Sequence, residues 1–231
     1  MKYENIVKGE FLSRPNRFIA EVLIDGKKET VHVKNTGRCR ELLVDGAEVF
    51  LFRSSNPSRK TKYDLVAVRK GKKLINMDSQ IPNDVVEEWL RKGNLFSEKA
   101  VIKREVTYKK SRFDFYIEDG DRKIFLEVKG VTLENEGVAM FPDAPTKRGV
   151  KHINELISLR KEGYEAFVLF VIQMEDVNLF KPNDVTHKAF GDTLRKAEKS
   201  GVEILAMNCK VTENSIEISD NINLCIDYKI L

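Results

Sequence analysis

Residues 166–172 read Ala-Phe-Val-Leu-Phe-Val-Ile, an apolar run without interruption. A half-exposed strand alternates apolar and polar residues, because successive side chains leave opposite faces of the sheet. A short unbroken run, ended by the polar Gln173, instead fits a strand buried on both faces. Such a strand needs cover above and below it. Residues 147–162 and 185–199 read as helices, with Gly163 and Gly201 as terminators, and residues 202–206 give a further strand. Strands are also predicted near 101–109, 112–118 and 122–129. From Asn83 onward the order is α-β-β-β-α-β-α-β, followed by a β-like tail near 215–230. This is a mixed α/β domain with helices covering a central sheet.

The first 82 residues have a different grammar. Residues 18–24 and 29–33 flank Asp25-Gly26, a strong hairpin signal. Residues 42–44 and 47–52 flank Asp45-Gly46, and 63–68 leads through a turn at Gly71 to 74–75. Five or so short strands without a long helix suggest a small closed barrel of the OB kind. The reading is therefore of two domains, a β-barrel over 1–82 and an α/β domain over 83–231. The second opens with a helix over 84–91, capped by Asn83 or Asp84.

The net charge of the 231 residues is +4, which permits a polyanionic partner without demanding one. Cys39, Cys209 and Cys225 are far apart, which argues against a zinc knuckle or a disulfide scaffold. No apolar run reaches membrane-spanning length and no leader pattern opens the chain, so a cytoplasmic protein without membrane association is expected. No Gly-rich phosphate loop or cofactor fingerprint is present.

The chemistry-bearing stretch is residues 112–130, two strands joined at Asp119-Gly120. Glu127 and Lys129, two apart, share one strand face, and Asp114 sits on the neighbouring strand. Two carboxylates and an ammonium can hold a divalent metal and orient a water for phosphodiester cleavage. Alternating charges also make an ordinary solvated strand face. Glu88 is a candidate third carboxylate or a plain surface glutamate. In the helix over 147–162, Val150, Ile153 and Ile157 fall on one side, with Arg148, Lys151, His152 and Glu155 opposite. The latter set can offer cations and an imidazole to phosphates, or form a solvated face with a Lys151–Glu155 pair. The stiff loop before it, with Pro142 and Pro145, can place Asp143, and Thr146 is its expected N-cap. Gln173 either lines a site or marks where its strand meets water. In the barrel, Lys34, Arg38 and Arg40 surround a tight turn. Arg59, Lys60, Lys62, Arg69, Lys70, Lys72 and Lys73 add a basic cluster near Phe50, Phe52 and Tyr63. Cations and aromatics of this kind suit single-stranded nucleic acid. His32 reads as structural.

Taken together, Arg14-Pro-Asn-Arg-Phe18, Val33-Lys-Asn-Thr-Gly-Arg38, Arg112-Phe-Asp114, Glu127-Val-Lys129, Phe141-Pro-Asp-Ala-Pro-Thr146 and Arg148-Gly-Val-Lys-His152 resemble the sugar fermentation stimulation protein A family. The resemblance spans about residues 10–206. It implies an N-terminal OB-like domain and a C-terminal domain similar to PD-(D/E)XK nucleases. Asp114 and Glu127 then match the metal carboxylates, Lys129 the motif lysine and Glu88 the helix acid, while Phe113 replaces the motif's proline. The expected function is nucleic-acid binding, DNA foremost, at a nuclease-like site with Mg²⁺, or Mn²⁺ in its place. The alternative is a DNA-binding regulator of sugar metabolism that does not cut. Oligomeric state is not legible.

Overall fold

The computed structural model describes residues 1–35, 37–109 and 111–227. The barrel consists of β1 (Ile6–Asn16), β2 (Ile19–Ile24), β3 (Lys27–Val33), β4 (Glu48–Arg53) and β5 (Tyr63–Lys70). Hydrogen bonding runs β3-β2-β1-β4-β5, and parallel pairing of β3 with β5 at His32↔Asp64 and Val33↔Leu65 closes the circle. That is OB connectivity. A hairpin adds β6 (Lys73–Asn76) beside β5. Asp25 and Gly26 both have positive φ, as the two-residue turn between β2 and β3 requires.

Two barrel expectations need correction. Strand β1 was not read, because register shifts at Phe11, Ser13 and Asn16 break its alternation. Residues 42–44 form no strand. Leu42 and Leu43 are buried with the barrel core, and both N–H groups return to the Cys39 carbonyl as a turn.

The second half begins with α1 (Ile81–Arg91). Gln80 occupies its N-cap without a side-chain bond and Pro82 lies in the first turn, where its missing N–H costs nothing. Asn83 is therefore inside the helix rather than capping it. The strands that follow are β7 (Val101–Tyr108), β8 (Ser111–Asp119), β9 (Arg122–Val131), β10 (Glu134–Asn135) and β11 (Val138–Phe141). Then come α2 (Lys147–Lys161), β12 (Glu165–Ile172), β13 (Leu179–Pro182), α3 (Asp184–Lys199), β14 (Glu203–Thr212), β15 (Ser215–Asn221) and β16 (Asn223–Leu224). The main sheet runs β15-β14-β12-β9-β8-β7. Its apolar strand β12 lies between β9 and β14, parallel to both. One face packs Phe125, Val168 and Phe170 against Ile153 and Leu156 of α2 and Phe190 and Leu194 of α3. The other packs Leu126, Leu169 and Val171 against Val85, Val86 and Leu90 of α1 and against Phe50 and Val66 of the barrel.

A small sheet in the order β10-β11-β13-β16 was not anticipated, since strands of two to four residues are too short to show a period. The expected tail strand is realised as β15 and β16, and its residues 228–230 lie outside the described residues.

Polar bonds lock the halves together. Gln173 donates its amide to Asn76 Oδ1 (3.0 Å) and to the Asp78 carbonyl (3.1 Å), while its own carbonyl accepts the Asn76 N–H (2.9 Å). Lys70 reaches from the barrel to the Glu134 carbonyl (2.7 Å) and carboxylate (3.1 Å).

Candidate active site

The paired register of β8 and β9 runs from Asp119↔Arg122 to Phe115↔Leu126. One residue past that end, the Asp114 side chain takes over: its Oδ2 accepts the backbone N–H of Val128 (2.8 Å), and Oδ1 accepts from Asn83 Nδ2 of α1 (3.0 Å). Burial raises the Asp114 pKa, and the charge of Glu127 raises it further, against these hydrogen bonds and Lys129.

Glu127 is 2% exposed. Its Oε1 accepts from Lys129 Nζ (2.5 Å) and is bonded to His152 Nδ1 of α2. Arg148 Nε donates to His152 Nε2 (3.4 Å), which assigns the ring proton to Nδ1 and directs it at Glu127. Burial alone would push the Glu127 pKa up, but the His152 bond and the nearby cations hold it below the ordinary carboxylate range. The other oxygen, Oε2, is buried and has no hydrogen-bond partner among the described residues. An uncompensated carboxylate oxygen in that position is costly, and a cation is its natural complement.

The structure thus gathers Asp114, Glu127, Lys129 and His152, with Arg148 against the imidazole. The sequence reading put His152 on the side of α2 opposite its apolar residues, either offered to phosphates near the carboxylates or part of a solvated face. Instead it is buried, because Gly149 and Leu156 on adjacent turns share its buried stripe and draw that edge of α2 onto the sheet. Thr146 caps α2 as expected, accepting the Gly149 N–H (2.9 Å). Lys151 stays exposed and pairs with Glu155 (3.6 Å). Glu88 is not brought to the carboxylates. It lies five residues beyond Asn83 on α1, hence on another face of the helix, and pairs with the Met1 ammonium (2.5 Å). Among the described residues no three His, Cys, Asp or Glu side chains cluster as a ready metal cage. Asn83, which orients Asp114, was missed as a site residue. Its only sequence signal was a polar side chain at a helix start, and that signal reads as a cap.

The barrel cations are rearranged as well. Lys34 pairs with the buried Asp64 (3.2 Å) and Asp78 (3.3 Å), so its charge is spent within the fold. Arg59, Arg69, Lys70 and Lys73 are likewise held by Asp64, Glu48 and Glu134. His32 packs against Asp64 (3.2 Å) in the structural role expected of it. Phe50 is fully buried. Arg38 and Arg40 remain exposed. Thr36, between Lys34 and Arg38 in the quoted motif, lies outside the described residues. Gly37 abuts Asp143 so closely that a Cβ there would lie 2.3 Å from Asp143 Oδ2. Gly37 of the barrel therefore touches the loop that leads into α2.

A closed OB barrel fused to an α/β domain, with carboxylates and a lysine on the adjacent strands β8 and β9 meeting a histidine from α2, defines the class of this protein. Residues 12–77 match the family model described as the SfsA N-terminal OB domain, and residues 80–215 match the sugar fermentation stimulation protein RE domain. A sugar fermentation stimulation protein homolog of Desulfitobacterium hafniense (strain DSM 10664 / DCB-2) is 65% identical over 95% of this chain and 96% of its own length. That of Clostridium beijerinckii is 59% identical over 98% of this chain and 100% of its own. The solved structure of Pyrococcus furiosus SfsA in complex with Ca²⁺ superposes with a TM-score of 0.86 at 29% identity, covering 97% of both chains. The chain belongs to the sugar fermentation stimulation protein (SfsA) family.

Proposed function

We propose that this protein hydrolyses nucleic-acid phosphodiesters, DNA foremost, with a divalent cation at Asp114 and Glu127. The observation that carries the reading is the bare, buried Oε2 of Glu127, whose charge is felt by a second, half-buried carboxylate, Asp114. Two carboxylates are hard oxygen donors of the number Mg²⁺ takes from protein while keeping several waters. The Pyrococcus relative, crystallised with Ca²⁺, supports an oxygen-seeking cation in this fold. Mg²⁺ is the ion assigned here, with Mn²⁺ able to replace it.

When bound, the cation would supply Lewis-acid polarisation of the scissile phosphate. The chain's own residues prepare the rest. His152 fixes the Glu127 carboxylate through Oε1, leaving Oε2 available. Asn83 and the Val128 N–H hold Asp114 in place. Lys129 has further ammonium protons to donate to a phosphate oxygen as charge develops there. Arg148 and Lys151 on the outer side of α2 supply phosphate contacts. Free cysteines at 39, 209 and 225 suit work in the reducing cytoplasm.

A second reading, DNA binding in regulation without cutting, is favoured by one observation: among the described residues no three His, Cys, Asp or Glu side chains form a group that could hold a metal ion. One assay separates the two. Labelled single- and double-stranded DNA and RNA are incubated with Mg²⁺, Mn²⁺ or EDTA, beside Glu127→Gln and Lys129→Met. Metal-dependent cleavage lost in both variants is the expected result. Salt-sensitive binding with no cleavage under any metal would overturn hydrolysis in favour of the second reading.

A further inference from the structure

Among the described residues the large apolar side chains left exposed are Phe18, Val44, Val101 and Val185, and Phe18 is the aromatic one, at 45% exposure. It is held in place rather than loose. Asn16 Oδ1 accepts the N–H groups of Phe18 (2.9 Å) and Ile19 (3.1 Å), and the Arg17 guanidinium stands 4.6 Å from the ring centroid. One further side chain, Arg14, ties this turn to the loop that carries Arg38. Its Nη2 donates to the Arg17 carbonyl (2.8 Å) and the Asn35 carbonyl (2.6 Å), and its Nη1 to those of Gly37 and Arg38 (both 2.8 Å). Gly37 abuts Asp143, ahead of α2 and its His152. An exposed ring, with Arg17 against it and the exposed Arg38 tied to the same turn through its carbonyl and Arg14, thus sits where the barrel meets the α/β domain.

We propose that Phe18 is a stacking platform for an unpaired base, with Arg17 and Arg38 on the flanking phosphates, so that the protein takes single-stranded nucleic acid in preference to duplex. The inference rests on the nucleic-acid reading above and gives it a strand preference. A base has a π-face free for an aromatic ring only when it is not stacked between neighbours in a duplex. The preformed patch needs no ordering of the barrel to present the ring.

The test is fluorescence anisotropy of labelled oligothymidine, oligouridine and a mixed-sequence duplex of equal length, in EDTA so that nothing is cut. Phe18→Ala is expected to weaken single-strand binding roughly 10- to 100-fold and to leave duplex binding unchanged. Phe18→Trp should restore it, with its emission quenched on adding strand. Arg38→Ala should flatten the salt dependence by about 0.7 in log–log slope. Comparing the thymidine and uridine strands separates DNA from RNA. If Phe18→Ala binds single strands as the parent does, or the parent prefers duplex, the platform is wrong, and metal-dependent cleavage can still stand. If binding depends on Phe18 but no cleavage ever appears, the platform stands and hydrolysis falls. Absence of any nucleic-acid binding by the parent would sink both.

Discussion

His152 is bonded to Glu127 through Oε1 of the carboxylate, which leaves Oε2 buried without a partner. A buried acid normally uses both oxygens or gives up its charge. Here His152 and Lys129 keep it ionised from one side, so the anion is maintained with an open oxygen.

The Glu127 pKa is held below that of the unfolded chain, so its ionised form contributes stability. That contribution is fully present above the unfolded value and is lost as pH falls through the lower folded value. Glu127→Gln should cost roughly 1–3 kcal/mol at pH 7, and the difference from the parent should shrink in acid. Denaturant unfolding at a series of pH values reads this directly; a gap that widens in acid would contradict it.

Asp114 has the opposite sign. Its folded pKa is raised, so stability is complete below the unfolded pKa and falls as pH rises toward the folded one. Asp114→Asn keeps the shape, and Asn83 can turn its amide to accept from the new one. The variant should gain roughly 1 kcal/mol at pH 7 while losing function. Thermal melts with the cleavage assay check both halves; a less stable variant would speak against the burial argument.

Lys34 is predicted to matter for folding rather than for nucleic acid. Lys34→Met leaves Asp64 and Asp78, at 1% and 0% exposure, without their shared cation. The expected loss is about 3 kcal/mol, with strand affinity at low temperature within about 2-fold of the parent. A large affinity loss with no change in melting would reverse the assignment.

Gly130 lies where the two halves join. A Cβ there would stand 2.6 Å from Gln173 Oε1 and 2.8 Å from Pro82 Cγ. Gly130→Ala should destabilise by about 1–3 kcal/mol, measured by denaturant unfolding. An unchanged midpoint would show that the junction yields easily.

Much of this was legible before the fold was known, for identifiable reasons. The apolar run of β12 announces a doubly covered strand, and Asp25-Gly26 announces its turn, because each rests on local geometry. Strand β1 hid behind its bulges, and Leu42 and Leu43 imitated a strand because barrel-core residues in a turn are as apolar as those in a sheet. At the site, Glu127 and Lys129 were paired by the two-residue repeat of a strand. The roles of His152, Asn83, Lys34 and Glu88 depend on which segments meet in space: α2 with β9, α1 with β8, the barrel loop with Asp64 and Asp78, and α1 with the amino terminus. No local pattern encodes those meetings. The exposure of Phe18 was hidden because the sequence reading began a strand at residue 18, whereas β2 begins at Ile19 and Phe18 lies in the turn before it.

The most direct test of the central claim is calorimetric titration of Mn²⁺ into the whole protein, free of nucleic acid, for the parent, Glu127→Gln and Glu88→Gln. Binding at one site per chain, abolished in Glu127→Gln and unchanged in Glu88→Gln, is the predicted result. Equal Mn²⁺ binding by the parent and Glu127→Gln would contradict a metal held at the open oxygen of Glu127.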